Sequence, residues 1–213
     1  MKLYREYCPA CLFAKKVCYC SEIKRFDPKI KFVILIHQLE IERKIATGRL
    51  SHLILENSLL IRGHDYSQNE KVNELIEDKK NHCVVLFPGD LSVDVSALSL
   101  AEKQKQFPLN KELVIFVIDG TWATSRQTMR LSANLASLPR FTFTLSKLSN
   151  FRVRKQPRPE YCSTVEAIYE CINLLGESRG FDIGSNVQEN LLQVFNFVVE
   201  QQLSFFNNLA KLK

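Results

Sequence analysis

No stretch of this 213-residue chain is apolar over the roughly 18–20 residues that a membrane-spanning helix needs. The opening Met1-Lys2-Leu3-Tyr4-Arg5-Glu6 lacks the apolar core of a secretory leader, so the cytosol is the expected compartment and no membrane is expected as a partner. Internal repeats and low-complexity segments are missing too, which excludes a repeat array. Acidic residues are wholly missing from 120–159, where Arg126, Arg130, Arg140, Lys147, Arg152, Arg154, Lys155 and Arg158 fall together. On a chain of net charge +6, that asymmetry points to a polyanion meeting one face, against the plainer reading of a solvated basic surface.

What is present reads as an α/β protein. Continuous apolar runs at 31–37, 83–87 and 113–119 suit strands buried on both faces of a mostly parallel sheet. Phe141-Thr142-Phe143-Thr144-Leu145 alternates and predicts a fourth strand, and Leu59-Leu60-Ile61 is a shorter candidate. Helical patterns separate them, at about 43–56, 69–79, 122–137, 164–175 and 186–209. Ser163 with Glu166 forms a capping-box signal, and Gly176 is a plausible stop. Strands alternating with helices give a layered α/β fold, the sheet flanked by helices. The strong strands end at His37, at Pro88-Gly89-Asp90 and at Asp119-Gly120-Thr121, which nominates three loops for one shared cleft, since open α/β sheets bind ligands beyond the carboxyl ends of their strands.

Residues 1–24 read as a separate N-terminal element, followed by a larger domain over 25–213. Cys8-Pro9-Ala10-Cys11 and Cys18-Tyr19-Cys20 supply four thiols within thirteen residues, a set suited to tetrahedral zinc. A redox pair and unmetallated thiols are the rival readings. With four protein ligands a zinc there would be structural, since no coordination position stays open. Cys83, Cys162 and Cys171 are scattered and read as buried thiols.

Asp119-Gly120-Thr121-Trp122 follows the strongest strand and opens a helix. Taken alone, it is a helix cap and a core tryptophan as readily as a site. It stands in an ordered series, however. Before it come His37-Gln38-Leu39-Glu40 with Thr47-Gly48-Arg49-Leu50, then Phe87-Pro88; after it come Ser149-Asn150-Phe151-Arg152-Val153-Arg154-Lys155 and Ser163-Thr164-Val165-Glu166-Ala167. With the cysteine cluster, this series resembles the DTW-domain family, the tRNA-uridine aminocarboxypropyltransferases. Phe151 stands where the family pattern has tyrosine, and Ala46 where it has asparagine.

The resemblance implies a SPOUT-like fold with a trefoil knot cradling S-adenosylmethionine. It implies transfer of the 3-amino-3-carboxypropyl arm to N3 of a tRNA uridine, with methylthioadenosine released. Asp119 is the candidate base for the N3 proton, with co-substrate binding or helix capping as its other roles. Phe87, Pro88, Gly89, Asp119, Gly120, Thr121, Trp122, Arg154, Ser163 and Thr164 are the expected S-adenosylmethionine contacts. His37, Phe151, Arg152, Arg154 and Lys155 are expected to meet tRNA. Glu40 and Arg49 are expected in local structural contacts. No obligate protein partner is implied. The alternatives are an RNA methyltransferase of the same broad fold and a non-enzymatic RNA-binding protein.

Overall fold

A computed structural model describes residues 6–41, 45–145, 149–151 and 161–210, with side chains through Phe205. Six parallel strands form one sheet: β1 (Lys31–His37), β2 (Ser58–Gly63), β3 (Asn81–Leu86), β4 (Ser92–Asp94), β5 (Glu112–Asp119) and β6 (Arg140–Thr142). Their order is β2-β1-β5-β3-β6-β4. The helices are α1 (Gln38–Ile41), α2 (Thr47–Ile54), α3 (Glu70–Glu77), α4 (Leu100–Gln106), α5 (Trp122–Leu131), α6 (Ala133–Ala136), α7 (Thr164–Leu175) and α8 (Glu189–Ala210). None of them among the described residues is long and apolar enough to cross a membrane.

The continuous apolar runs are explained by burial on both faces. Along β1, Phe32 and Ile34 enter one apolar layer while Val33 and Leu35 enter the other. The first layer packs against Leu50 and Ile54 of α2, Ile168 and Ile172 of α7 and Phe195 of α8. The second packs against Val72 and Leu75 of α3, Met129 of α5 and Leu135 of α6. Each such side chain contributes about 1.5–3 kcal/mol on leaving water, so a charge at Ile34 or Phe116 would unseat the sheet. Cys11 and Tyr19 of the N-terminal element sit in the first layer. Asn190 stitches that element to α8, accepting from Lys24 N at 2.8 Å and donating to Glu22 O at 3.0 Å.

Some element bounds differ from the sequence expectation, each for a local reason. The helical pattern expected to run through 122–137 breaks at Ser132, whose buried hydroxyl accepts from Tyr66 N at 2.9 Å. β6 is shorter than expected because only Arg140–Thr142 pair, with β3 on one side and β4 on the other. Gly176 keeps right-handed helical angles and passes into a short 3-10 turn; the left-handed residue that ends the segment is Gly180, at φ 79°.

Register brings the site together. Ile36 of β1 lies opposite Asp119, and Leu86 of β3 opposite Val117, so the carboxyl ends of the three central strands finish nearly level.

Candidate active site

A cavity of about 540 Å³ opens beyond those strand ends. Asp119 reaches it from the tip of β5 and is 5% exposed. Thr164 Oγ1, on the first residue of α7, donates to Asp119 Oδ1 at 2.5 Å, and Thr47 Oγ1, on the first residue of α2, donates to the same oxygen at 3.4 Å. One carboxylate thus ties together a strand and two helix starts. Gly48 permits this closeness: a Cβ there would lie 2.6 Å from Asp119 Oδ2 and 2.8 Å from Ile34 Cγ2.

Gly120 and Thr121 turn the chain from β5 into α5. A Cβ at Gly120 would stand 2.6 Å from Thr124 Oγ1, so the glycine lets the first helical turn close onto the strand end. Thr121 caps α5, its hydroxyl accepting from Thr124 N at 3.1 Å. Trp122 then projects into an aromatic wall. Its ring lies 4.1 Å from that of Tyr161, tilted by 32°, and 6.3 Å from that of Phe87.

At the start of α7, Ser163 and Glu166 close the expected capping box. Glu166 does more than cap. Its Oε2 accepts from Ser163 N at 2.7 Å, Ser163 Oγ at 2.6 Å and Ser149 Oγ at 2.7 Å, while Oε1 accepts from Asn150 N at 2.8 Å. The segment leading into the basic stretch is therefore fastened to the same helix start that holds Asp119. Phe151 is buried there against Phe195, ring centroids 5.3 Å apart, and also lines the cavity.

The opposite rim carries a second carboxylate, Asp94 at the end of β4. The Ser96 backbone N–H, with hydroxyls of Ser96 and Thr144, holds it below its ordinary range despite partial desolvation. The cavity thus presents two carboxylates, an aromatic wall and, among its described lining residues, no cationic side chain.

Of the residues expected to contact S-adenosylmethionine, Phe87, Pro88, Asp119, Gly120, Thr121, Trp122, Ser163 and Thr164 line this cavity. Gly89 does not. It forms a turn with Ser92, whose hydroxyl donates to Gly89 O at 2.6 Å, and a Cβ there would meet nothing within 4 Å. His37 lies beside the cavity rather than in its wall. It is buried, faces His64 and accepts from Leu39 N at 3.3 Å. Desolvation, reinforced by His64 and opposed by Glu40, lowers its pKa. Arg49, also buried, donates to Ile41 O, a structural contact. Arg152, Arg154 and Lys155 lie outside the described residues. Sequence reading missed Asp94, Tyr161 and the wider reach of Glu166. Only Tyr161 carried a local signal, an aromatic two residues ahead of a capping box.

The four N-terminal thiols gather as their spacing suggested. All Sγ atoms lie within 4.8 Å of one another, with Cys8–Cys20 at 3.7 Å and Cys11–Cys18 at 3.6 Å. Four sulfurs about 2.3 Å from a tetrahedral zinc have edges of about 3.8 Å, so the cluster can hold a metal ion such as zinc. The backbone N–H groups of Cys11 and Ala10 bring the Cys8 thiol down to about 6, whereas burial pushes Cys11 and Cys20 up. A divalent cation reverses that second effect by taking the thiolates as ligands. Leu12, at φ 60°, makes the tight turn after Cys11, its N–H donating to Cys8 O at 2.9 Å.

A family model for the DTW domain matches residues 5–203. The chain belongs to the DTW-domain family. Membership supports a tRNA-modifying function, and the match takes in both the cysteine cluster and the strand-end cavity of this DTW protein. No solved structure matches the chain.

Proposed function

We propose that this DTW-domain protein transfers the 3-amino-3-carboxypropyl group of S-adenosylmethionine to N3 of a tRNA uridine, leaving methylthioadenosine. The observation that carries this reading is the cavity's chemistry. Two carboxylates, aromatic walls and no described cation favour a ligand with a planar ring and a positive centre, as a nucleoside sulfonium has. Its volume, about 540 Å³, is in the range for such a molecule. A nucleoside phosphate would meet like charge there.

In the reaction, uridine N3 attacks the arm carbon bonded to sulfur. That C–S bond breaks with its electron pair passing to sulfur, which becomes neutral. The N3 proton must leave as the new bond forms, and Asp119, aimed by Thr164 and Thr47, is its proposed acceptor. Choosing the arm over the methyl group is a matter of placement. The arm's own carboxylate needs a donor-rich anchor, which the first turn of α7 at Ser163 and Thr164 offers. Arg154 is proposed for the same carboxylate, and Arg152, Lys155, His37 and Phe151 for the tRNA. A zinc ion on Cys8, Cys11, Cys18 and Cys20 would be structural and take no part in the transfer. The knotted SPOUT-like threading and a cytosolic setting belong to the same proposal.

Incubation with an unmodified tRNA transcript and S-adenosylmethionine, followed by digestion and mass measurement of the nucleosides, tests it. The expected product is a uridine heavier by one aminocarboxypropyl group, with methylthioadenosine in equal amount. A methyl-sized increment would make the protein a methyltransferase, and no increment with a bound tRNA would leave a binding protein.

A further inference from the structure

Helix α5 begins in the cavity wall and runs away from it. Trp122, Arg126 and Arg130 are spaced four residues apart, so they form a strip along one side of the helix, each step rising about 6 Å. Trp122 lines the cavity, while Arg126 and Arg130 are exposed. With Ala123 and Gln127, the two arginines border a shallow depression on the outer surface. Among the described residues, neither guanidinium makes an ion pair or hydrogen bond, and α5 carries no acidic residue. The other helices of more than four residues each hold at least one carboxylate or lack such a pair of free cations: α3 has Glu70, Glu74 and Glu77, and α4 has Glu102.

We propose that this strip is a phosphate track, along which the RNA strand flanking the target uridine leaves the cavity. This inference rests on the transfer reaction proposed above and adds where its polymeric substrate lies. A uridine held at Asp119 is joined to phosphates on both sides, and those phosphates must emerge over the cavity's lip. One lip is the start of α5. Guanidinium groups bind phosphate bidentately and shed hydration readily, which suits them to a track that grips the backbone without reading sequence. A step of about 6 Å, a little over one helical turn, is close to the spacing of successive phosphates. An acidic protein surface would need carboxylates at one fixed spacing, whereas the cavity already dictates a nucleotide at one end of the strip.

The test measures binding of an unmodified tRNA transcript to the full chain over a range of salt. Arg126→Ala/Arg130→Ala is compared with Arg126→Lys/Arg130→Lys and with the unaltered protein. Loss of two phosphate contacts is expected to weaken tRNA binding about tenfold and to cut the slope of log affinity against log salt by about 1.5. S-adenosylmethionine affinity should hold, and the lysine pair should restore most of the salt slope. Unchanged tRNA affinity and slope in the alanine pair would overturn the track while leaving the transfer reaction standing. Loss of S-adenosylmethionine affinity together with tRNA would also overturn it, by giving the arginines a role in the fold. Failure of the unaltered protein to bind tRNA would overturn the track and the functional reading together.

Discussion

Helices α4 and α7 begin with the same pattern, Ser-x-x-Glu, and close the same reciprocal cap. In α4, Glu102 accepts from Ser99 N at 2.8 Å and from its hydroxyl at 2.6 Å; in α7, Glu166 accepts from Ser163 N at 2.7 Å and from its hydroxyl at 2.6 Å. Their surroundings differ. No residue of α4 is buried, and its cap faces water. α7 buries eight residues, and Glu166 itself is 9% exposed. Once out of water, the second carboxylate must satisfy its remaining lone pairs within the protein, and it does so with Ser149 and Asn150. Burial turns a local helix signal into a joint between two parts of the candidate site.

The largest effect should come from breaking that joint. Glu166→Ala leaves four donors without their acceptor, the two of Ser163 buried and those of Ser149 and Asn150 nearer the surface, at a cost of about 3 kcal/mol in unfolding free energy. Turnover on tRNA should fall further than stability explains, because the segment leading into the basic stretch loses its tether. Glu166→Gln keeps one acceptor oxygen and should recover part of both. Chemical denaturation alongside the nucleoside mass assay checks the pair. Full turnover in a folded Glu166→Ala protein would reduce Glu166 to the role Glu102 plays.

Gly48 tests the same joint from the other side. Gly48→Ala places a methyl group 2.6 Å from Asp119 Oδ2 and 2.8 Å from Ile34, both held in the core. Overpacking of this kind costs about 1–3 kcal/mol. It also displaces the carboxylate that Thr164 of α7 holds, so S-adenosylmethionine affinity should drop with stability. Calorimetric titration of S-adenosylmethionine into the variant decides whether the site moves or only the fold weakens.

Acid should act first at the α4 end. His82 packs on Phe107, the residue after α4, with centroids 6.1 Å apart. Burial lowers its pKa, and Lys111 and Arg179 lower it further. The unfolded chain then takes up a proton near pH 6.5 that the native state refuses, so stability is complete above about 6.5 and falls as the pH drops through the folded value. His37 and His52 are shifted in the same direction, chiefly by desolvation, and steepen the fall. Amide exchange should show protection over 100–107 fading in acid before that over 164–175. His82→Gln should flatten the dependence, and the reverse order of exchange would count against this account.

The sequence made the buried parts legible and left the exposed ones obscure. β1, β3 and β5 announce themselves because strands covered on both faces must be apolar throughout. α7 is legible over its whole length from its cap and its apolar period. α4 has the same cap signal at Ser99 and Glu102, yet it buries nothing and so leaves no periodic stripe to read. β4 is three residues of mixed character, formed because β6 offers it an edge. The candidate site divides likewise. Asp119, Trp122 and Ser163 stand in ordered motifs, whereas Asp94 reaches the cavity only through β4, and no local pattern marks it.

The smallest effect should be that of Glu102→Ala, which makes it the sharpest control. The deleted contacts are those Glu166 makes to its own cap, at nearly the same distances, so any difference between the two variants isolates what burial and Ser149 and Asn150 add. Water replaces the lost acceptor at an exposed cap, and Ser99 can still accept from Glu102's backbone N–H position, so the melting midpoint should fall by a few degrees at most. Affinity for S-adenosylmethionine and turnover on tRNA should stay at the level of the unaltered protein, since α4 touches no residue of the cavity wall through this carboxylate. A loss of turnover in Glu102→Ala comparable to that in Glu166→Ala would mean that cap strength, and not the link to the segment at 149–151, is what the site depends on.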